Sequence, residues 1–295
     1  MQSVSIIGIG RMGGALALAL SRAGYRVANL VYRSGDVGEE IAGRISPLPR
    51  LISFADKDQK IESDIIFITS ADPDIEPISS QIVSRCKRNS LVFHTSGSLS
   101  SEILLVLADE GYRTGSIHPL ISVSDPIRGS ELFAGAFFCV EGQDEAVLTA
   151  KQIVEALGGS SFSIDTHSKS LYHASAVTAS GHLVALIDVA VEMLTKCGIE
   201  SGEAKRILMP LIRSTVGNLE VNSNAKALTG TFARADNKTF ERHLRALDES
   251  VSSDVRRIYL SLADRSLDLA EGAGQNAEDV RMIRDGIVLA QQRSK

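Results

Sequence analysis

Cysteine is scarce in this chain of 295 residues, which contains only Cys86, Cys139 and Cys197. They are far apart, odd in number and never spaced as CxxC, which argues against a disulfide framework or a cysteine zinc site. Positive charge is not in excess either. With 31 Lys+Arg against 36 Asp+Glu the formal net charge is −5, so general attraction to nucleic acid or an anionic membrane is not expected. No basic and apolar leader precedes the first strand pattern, and no apolar run is expected to approach bilayer-spanning length. Internal repeats and low-complexity linkers are also missing. The expectation is a reduced, cytoplasmic, globular protein, and 44% hydrophobic with 23% charged residues is the ordinary balance for one. Its length suits two domains, or one large domain with a substantial core.

What is present begins at once. The apolar run Val4-Ser5-Ile6-Ile7 leads into Gly8-Ile9-Gly10-Arg11-Met12-Gly13, then a small-residue helix, then a second apolar run over 27–32. Strand, glycine turn, helix and strand in that order form the phosphate-binding half of a dinucleotide fold. The first glycine permits the tight turn, the second lets backbone approach a pyrophosphate, and the third lets helix pack on strand. Helix N-terminal amides then face the phosphates. About 20 residues beyond the last glycine, where an acid would bind a free ribose 2′-hydroxyl, stands Arg33, followed by Ser34. A guanidinium suits a 2′-phosphate, which favours NADP(H) over NAD(H).

Further apolar runs at 65–69, 91–94, 114–118 and 136–140 alternate with helical patterns, which predicts an α/β fold with a doubly wound, mainly parallel sheet over residues 1–165. From residue 166 to 295 the pattern is all-helical, opening with one long apolar helix over 168–197 and stopped by Gly198. Ligands bind beyond the carboxyl ends of the strands in such sheets. That rule selects three loops: Thr69-Ser70-Ala71-Asp72-Pro73, His94-Thr95-Ser96-Gly97-Ser98 and Ser116-Ile117-His118-Pro119-Leu120. Expected cofactor contacts are therefore Gly8, Ile9, Gly10, Arg11, Met12, Gly13, Arg33, Ser34, Thr69, Ser70 and Thr95.

Those motifs, with Tyr172-His173-Ala174 and the segment Ala227-Leu228-Thr229-Gly230-Thr231-Phe232-Ala233-Arg234-Ala235-Asp236, carry a resemblance over nearly the whole chain. The chain resembles an uncharacterised family of Rossmann-like NADP-dependent oxidoreductases with a helical C-terminal domain of unknown function. That family is related to pyrroline-5-carboxylate reductase, prephenate dehydrogenase and NADP:coenzyme F420 reductase. Thr231, Ala235 and His182 depart from its pattern, standing where proline, glycine and asparagine are expected. The resemblance implies a 6-phosphogluconate-dehydrogenase-like helical domain that binds substrate and forms a homodimer.

The resemblance to prephenate dehydrogenases also places the histidine that bonds the reacting hydroxyl at His118, and the strand-end serine at Ser96. Chemically, hydride transfer to a carbonyl needs a proton on oxygen, and histidine is the side chain closest to neutrality. His173 enters the cleft from the helical segment by resemblance, with packing at a dimer contact as the other reading. His94 is read as a loop anchor. Ser98, Thr229, Gly230 and Arg234 are candidate substrate contacts, Arg234 as a carboxylate clamp. His173 and His182 are nine residues apart, on opposite helix faces, so a paired-histidine metal site is not expected.

The expected activity is NADPH-dependent reduction of a small carboxylated substrate with a C=O or C=N centre, a ketopantoate-like 2-oxo acid or a cyclic imino acid. The alternatives are a dinucleotide-binding sensor or scaffold without turnover, and a reductase that uses coenzyme F420. No nucleic-acid, membrane or metal partner is expected.

Overall fold

The computed structural model describes residues 2–33 and 37–292. By contacts the chain divides into two compact units, Met1–Ser180 and Gly181–Lys295.

The first unit runs β1 (Ser3–Ile7), α1 (Arg11–Arg22), β2 (Arg26–Tyr32), α2 (Val37–Ala42), β3 (Arg50–Ser53), β4 (Ile65–Ile68), α3 (Asp72–Ile82) and β5 (Leu91–His94). It continues with α4 (Leu105–Asp109), β6 (Arg113–Pro119), α5 (Pro126–Gly129), β7 (Phe137–Gly142), α6 (Asp144–Ala156), β8 (Ser160–Phe162) and α7 (Lys169–Ala179). The strands form one sheet in the order β3-β2-β1-β4-β5-β6-β7-β8. Neighbours are parallel except β6 and β7, which are antiparallel. The strand order reverses beside β1, which opens a crevice at the carboxyl ends of β1 and β4.

Successive residues of a strand face opposite sides, so a sheet covered on both faces needs apolar side chains at every position. β4 meets that need: Ile65 and Phe67 join one core, while Ile66 and Ile68 join the other. The first core packs beneath α1 and α6 through Leu16, Leu20, Ile153 and Val154. The second gathers Ile7, Val31 and Val92 with Ile75, Ile78 and Ile82 of α3.

At β5, β6 and β7 the pattern changes on the second face only. Phe93, Ile117, Phe138 and Val140 continue the first core. Their opposite-facing neighbours are His94, Ser116, His118, Cys139 and Glu141. The register sets His94 beside Ser116, Ser116 opposite Glu141, and His118 opposite Cys139. A polar patch thus interrupts a buried sheet face, and α7 is the helix that meets it.

The long helix expected over 168–197 is broken. Ser180 adopts φ −117° and ψ −73° between α7 and α8 (Gly181–Thr195). α7 therefore belongs with the sheet, tied to it by Lys169 and Tyr172, instead of with the helical domain expected to start at residue 166. The segment Thr166–Thr195 does reach the length and apolarity of a membrane-crossing helix, with a hydropathy of 1.6, contrary to the sequence expectation. The break and the bonds from Lys169 and Tyr172 account for its first half as part of the folded unit.

The second unit is helical, with α9 (Ser201–Val221), α10 (Asn224–Ala227), α11 (Asn237–Ser250), α12 (Ser253–Gly272) and α13 (Ala277–Gln292) after α8. Its core is Phe240, Leu260, Leu267, Ile283 and Ile287. Side-chain caps set the helix starts: the Thr239 amide donates to Asp236 at 3.0 Å and the Glu278 amide to Asn276 at 2.8 Å. Ala235 sits in the left-handed region at φ +49°, which explains the glycine expected there: only glycine enters that region without a Cβ penalty.

Candidate functional site

Three glycines shape the turn between β1 and α1, each in its own way. Gly8 has φ +102°, and a Cβ there would press on Ser70 Oγ at 2.9 Å. A Cβ on Gly13 would come under 3.0 Å from the Gly8 carbonyl and Thr69 Oγ1, so helix and turn touch backbone to backbone. Gly10 has nothing within 4 Å on its Cβ side. Gly10 is also the N-cap of α1 and lends no side-chain bond to the first-turn amides. Open space before uncapped helix amides is what a pyrophosphate requires, so these residues fit a dinucleotide.

Thr69 supports this turn from behind, donating through Oγ1 to the Gly8 carbonyl at 2.6 Å. The Thr95 amide is bonded to the Ile68 carbonyl at 3.2 Å, holding the next loop to β4. Arg33 follows β2 and forms an ion pair with Asp74 of α3 at 3.0 Å. Ser34 lies outside the described residues. Ile9 lies in the turn, and Arg11 and Met12 are the first residues of α1.

The second cluster forms on the polar face of β5, β6 and β7. His94 is buried, and its tautomer follows from its partners. The Ser96 amide can only donate, so Nδ1 accepts it at 3.2 Å, and Nε2–H donates to the Ser100 carbonyl at 3.1 Å. His94 thereby anchors the loop. Burial, then the positive charge of Lys169, lowers its pKa to about 4. Ser96 Oγ accepts the amides of Ser98 and Leu99 at 3.2 and 3.1 Å, which makes it a turn cap whose O–H proton is still able to donate. Ser98 Oγ donates to Asp72 at 2.5 Å.

His118 and His173 come together over this loop. A Cβ on Gly97 would stand 2.7 Å from His118 Nε2 and closer still to His173 Nδ1. The rings are edge to face, 5.6 Å between centroids. His173 Nδ1 is buried with no hydrogen-bond partner among the described residues. On its other nitrogen, His118 Nδ1 lies 2.6 Å from Tyr172 Oη. Burial lowers the His118 pKa to about 4, with Lys169 and His173 acting in the same direction and Asp72 opposing. Burial raises the Tyr172 phenol, so it keeps its proton.

Beneath them lies a lysine that sequence reasoning missed. Lys169 is 1% exposed, and its Nζ donates to Ser116 Oγ at 2.8 Å and to the Ser96 carbonyl at 3.3 Å. Glu141 Oε1 is 3.9 Å from it, and Glu141 also accepts the amide and hydroxyl of Ser101 at 2.9 and 2.8 Å. The available signal was a single charge opening an apolar helix, three and four residues before Tyr172 and His173. Among the described residues, no group of three His, Cys, Asp or Glu side chains could hold a metal.

Thr229, Gly230 and Arg234 belong to the second unit. Gly230 has φ +84°, and Arg234 closes a short 3-10 turn ahead of α11 with its side chain exposed.

Similarity to known proteins agrees with this architecture. No curated protein matches the sequence. Among solved structures, a Bacteroides fragilis protein provisionally named an NADP oxidoreductase is 22% identical with TM-score 0.72, covering 90% of this chain and 98% of that one. A Thermotoga maritima protein is 22% identical with TM-score 0.70, covering 92% and 99%. A pyrroline-5-carboxylate reductase from Coxiella burnetii is 12% identical with TM-score 0.58, covering 93% and 99%. At such identities the likeness is one of fold. Residues 1–119 match the Rossmann-like domain, and residues 136–266 match DUF2520, a domain of unknown function. His94, Ser96 and His118 lie in the first match, and Glu141, Lys169, Tyr172 and His173 in the second, so the polar cluster forms where the two meet. The chain thus joins a Rossmann-like domain to a DUF2520 domain.

Proposed function

We propose that this protein is an NADP(H)-dependent oxidoreductase that reduces a C=O or C=N group in a small carboxylated substrate. The observation that carries the reading is the convergence above Gly97 of His118 Nε2 and His173 Nδ1, the latter without a partner among the described residues. Two imidazole nitrogens aimed at one point can hold one polar atom of a substrate. The names of the similar NADP oxidoreductase and pyrroline-5-carboxylate reductase support nicotinamide chemistry.

When bound, a reduced nicotinamide supplies hydride to the substrate carbon. The turn at Gly8, Gly10 and Gly13 would hold its diphosphate, and Arg33 would pair with the 2′-phosphate. We assign Tyr172 Oη as the donor to His118 Nδ1, 2.6 Å away, which places the proton of the neutral ring on Nε2. Nε2–H bonds the substrate oxygen and stabilises the negative charge that develops there, and the alkoxide then takes its proton from water. A neutral donor suits an oxygen better than an imine nitrogen, because an iminium arrives already protonated; this favours a carbonyl substrate.

The partner is a second copy of the chain, joined through the helical unit. In α8 only Val191 is buried, while Val184 in α8 and Leu211 in α9 are 69% and 63% exposed. Apolar helix surface of that kind is covered in stable proteins. Light scattering with Val184→Glu and Leu211→Glu tests it: monomers are expected, and unchanged dimers would overturn it.

The test of function is a panel of 2-oxo acids and cyclic imino acids, with oxidised F420 included, followed by NADPH absorbance. Turnover of one of the acids supports the reading. Tight NADPH binding without turnover of any member would make the protein a dinucleotide sensor, and oxidation by F420 alone would replace the substrate class.

A further inference from the structure

We propose that Lys169 is a positioning residue that joins the three elements of the His118 site and keeps the His118 imidazole uncharged through its own buried positive charge. The inference rests on His118 as the substrate-facing group.

The geometry is that of a joint. One Nζ bonds β6 at Ser116 Oγ and the loop after β5 at the Ser96 carbonyl, and faces Glu141 of β7. Ser116 lies two residues before His118 and on the same face of β6. Ser96 directly precedes Gly97, over which the two imidazoles meet. Lys169 itself lies one helical turn before Tyr172 and His173, and its Nζ is 5.9 Å from the Tyr172 ring centroid. Moving this ammonium group would shift the strand, the loop and the helix against one another.

A buried ion pair is a poor way to stabilise a fold, because desolvation offsets most of the attraction and an apolar side chain serves as well. Lys169 is further from ideal, with its carboxylate partner 3.9 Å away. Burial lowers the pKa of Lys169 itself, with Cys139, Glu141 and Asp72 opposing; a charge kept against burial calls for another explanation, and the neighbouring imidazole supplies one. The titratable groups around His118 are Lys169, Tyr172 and His173 of α7, Cys139 of β7, His94 of β5 and Asp72 of α3. After burial, Lys169 is the largest influence holding the ring neutral, and Asp72 is the opposing charge.

NMR on the full-length protein with 15N-labelled histidine and lysine tests this without a substrate, with His118 assigned by its loss in His118→Asn. The wild type should show a slowly exchanging Lys169 ammonium at neutral pH and a His118 ring that stays neutral well below pH 6. Lys169→Gln keeps a donor but removes the charge, and should raise the His118 titration by about one pH unit. Lys169→Arg should restore it. Lys169→Met carries the same expectation as Lys169→Gln if the latter does not fold. A neutral Lys169 amine in the wild type, or a His118 titration unmoved by loss of the charge, would overturn the proposal. A shifted titration in a protein that turns over no acid of the panel would leave it standing and refute the reductase reading alone.

Discussion

Tyr172 Oη lies 2.6 Å from His118 Nδ1, a contact that joins residues 54 positions apart in the chain. The phenol is one helical turn beyond Lys169, and the imidazole ends the polar row of β6. The contact leaves one ring nitrogen, Nε2, for the substrate.

Removing the phenol should therefore cost activity through the histidine. Tyr172→Phe keeps the ring and its packing but frees Nδ1 to take the proton. With an identified substrate, kcat should fall about tenfold, the worth of one good hydrogen bond. His118→Ala should lose about 100-fold or more. The double variant should lose no more than His118→Ala, because Tyr172 acts through His118. Additive losses would show that Tyr172 works independently.

Gly97 gives a sharper geometric test. A methyl group there would collide with both imidazole nitrogens while leaving the turn at Gly8 and Gly13 untouched. Gly97→Ala should reduce kcat by about 100-fold through misplacement of the rings. The dissociation constant for NADPH, measured by fluorescence titration, should stay within twofold, a margin of roughly 0.4 kcal/mol. Loss of cofactor binding instead would place the loop in the dinucleotide site.

Much of this was legible in the sequence, for reasons that differ by element. The glycine turn announced itself because backbone geometry at Gly8 and Gly13 admits no other residue. The apolar runs at 65–68 and 91–94 gave the buried parallel strands directly. The break at Ser180 was hidden, since the residues on both sides are equally helical and apolar. Lys169 and Glu141 were missed because each stands alone in its segment: only the register of β6 against β7 and the docking of α7 bring them together. Ser96 shows a second role that its place at a strand end did not display: its oxygen caps the turn by accepting two loop amides, which leaves its O–H to donate.

Cofactor choice turns on Arg33, and the ion pair with Asp74 qualifies its role. Both side chains are exposed, so the pair is weak and a 2′-phosphate can compete with the carboxylate. Arg33→Ala should weaken NADPH binding by about tenfold and leave NADH almost unchanged. Asp74→Asn should do the reverse for NADPH, tightening it by roughly two- to fivefold, the range of a surface ion pair. Equal affinities for NADPH and NADH in the unaltered protein would sink the NADP(H) assignment.

Acid sensitivity of the fold should come first from His94. Its ordinary pKa of 6.5 applies to the unfolded chain, while in the folded protein burial and Lys169 hold it at about 4. Between those values the unfolded chain binds a proton that the native state refuses. The stability of the neutral, anchored ring is therefore complete above about pH 6.5, falls as pH drops, and is fully lost near pH 4. A shift of this size corresponds to about 3 kcal/mol. Asp64, whose carboxylate Lys87 and Ser3 hold below the usual range, contributes its own loss only below its ordinary value of 3.8. The two windows are thus separate. Urea unfolding at intervals from pH 7.5 to 4 should show the decline, and His94→Gln, which keeps an acceptor and a donor but cannot titrate, should remove about half of it. His118 titrates over the same interval and accounts for the slope that remains. An equally steep decline in the glutamine variant would show that other groups govern acid stability.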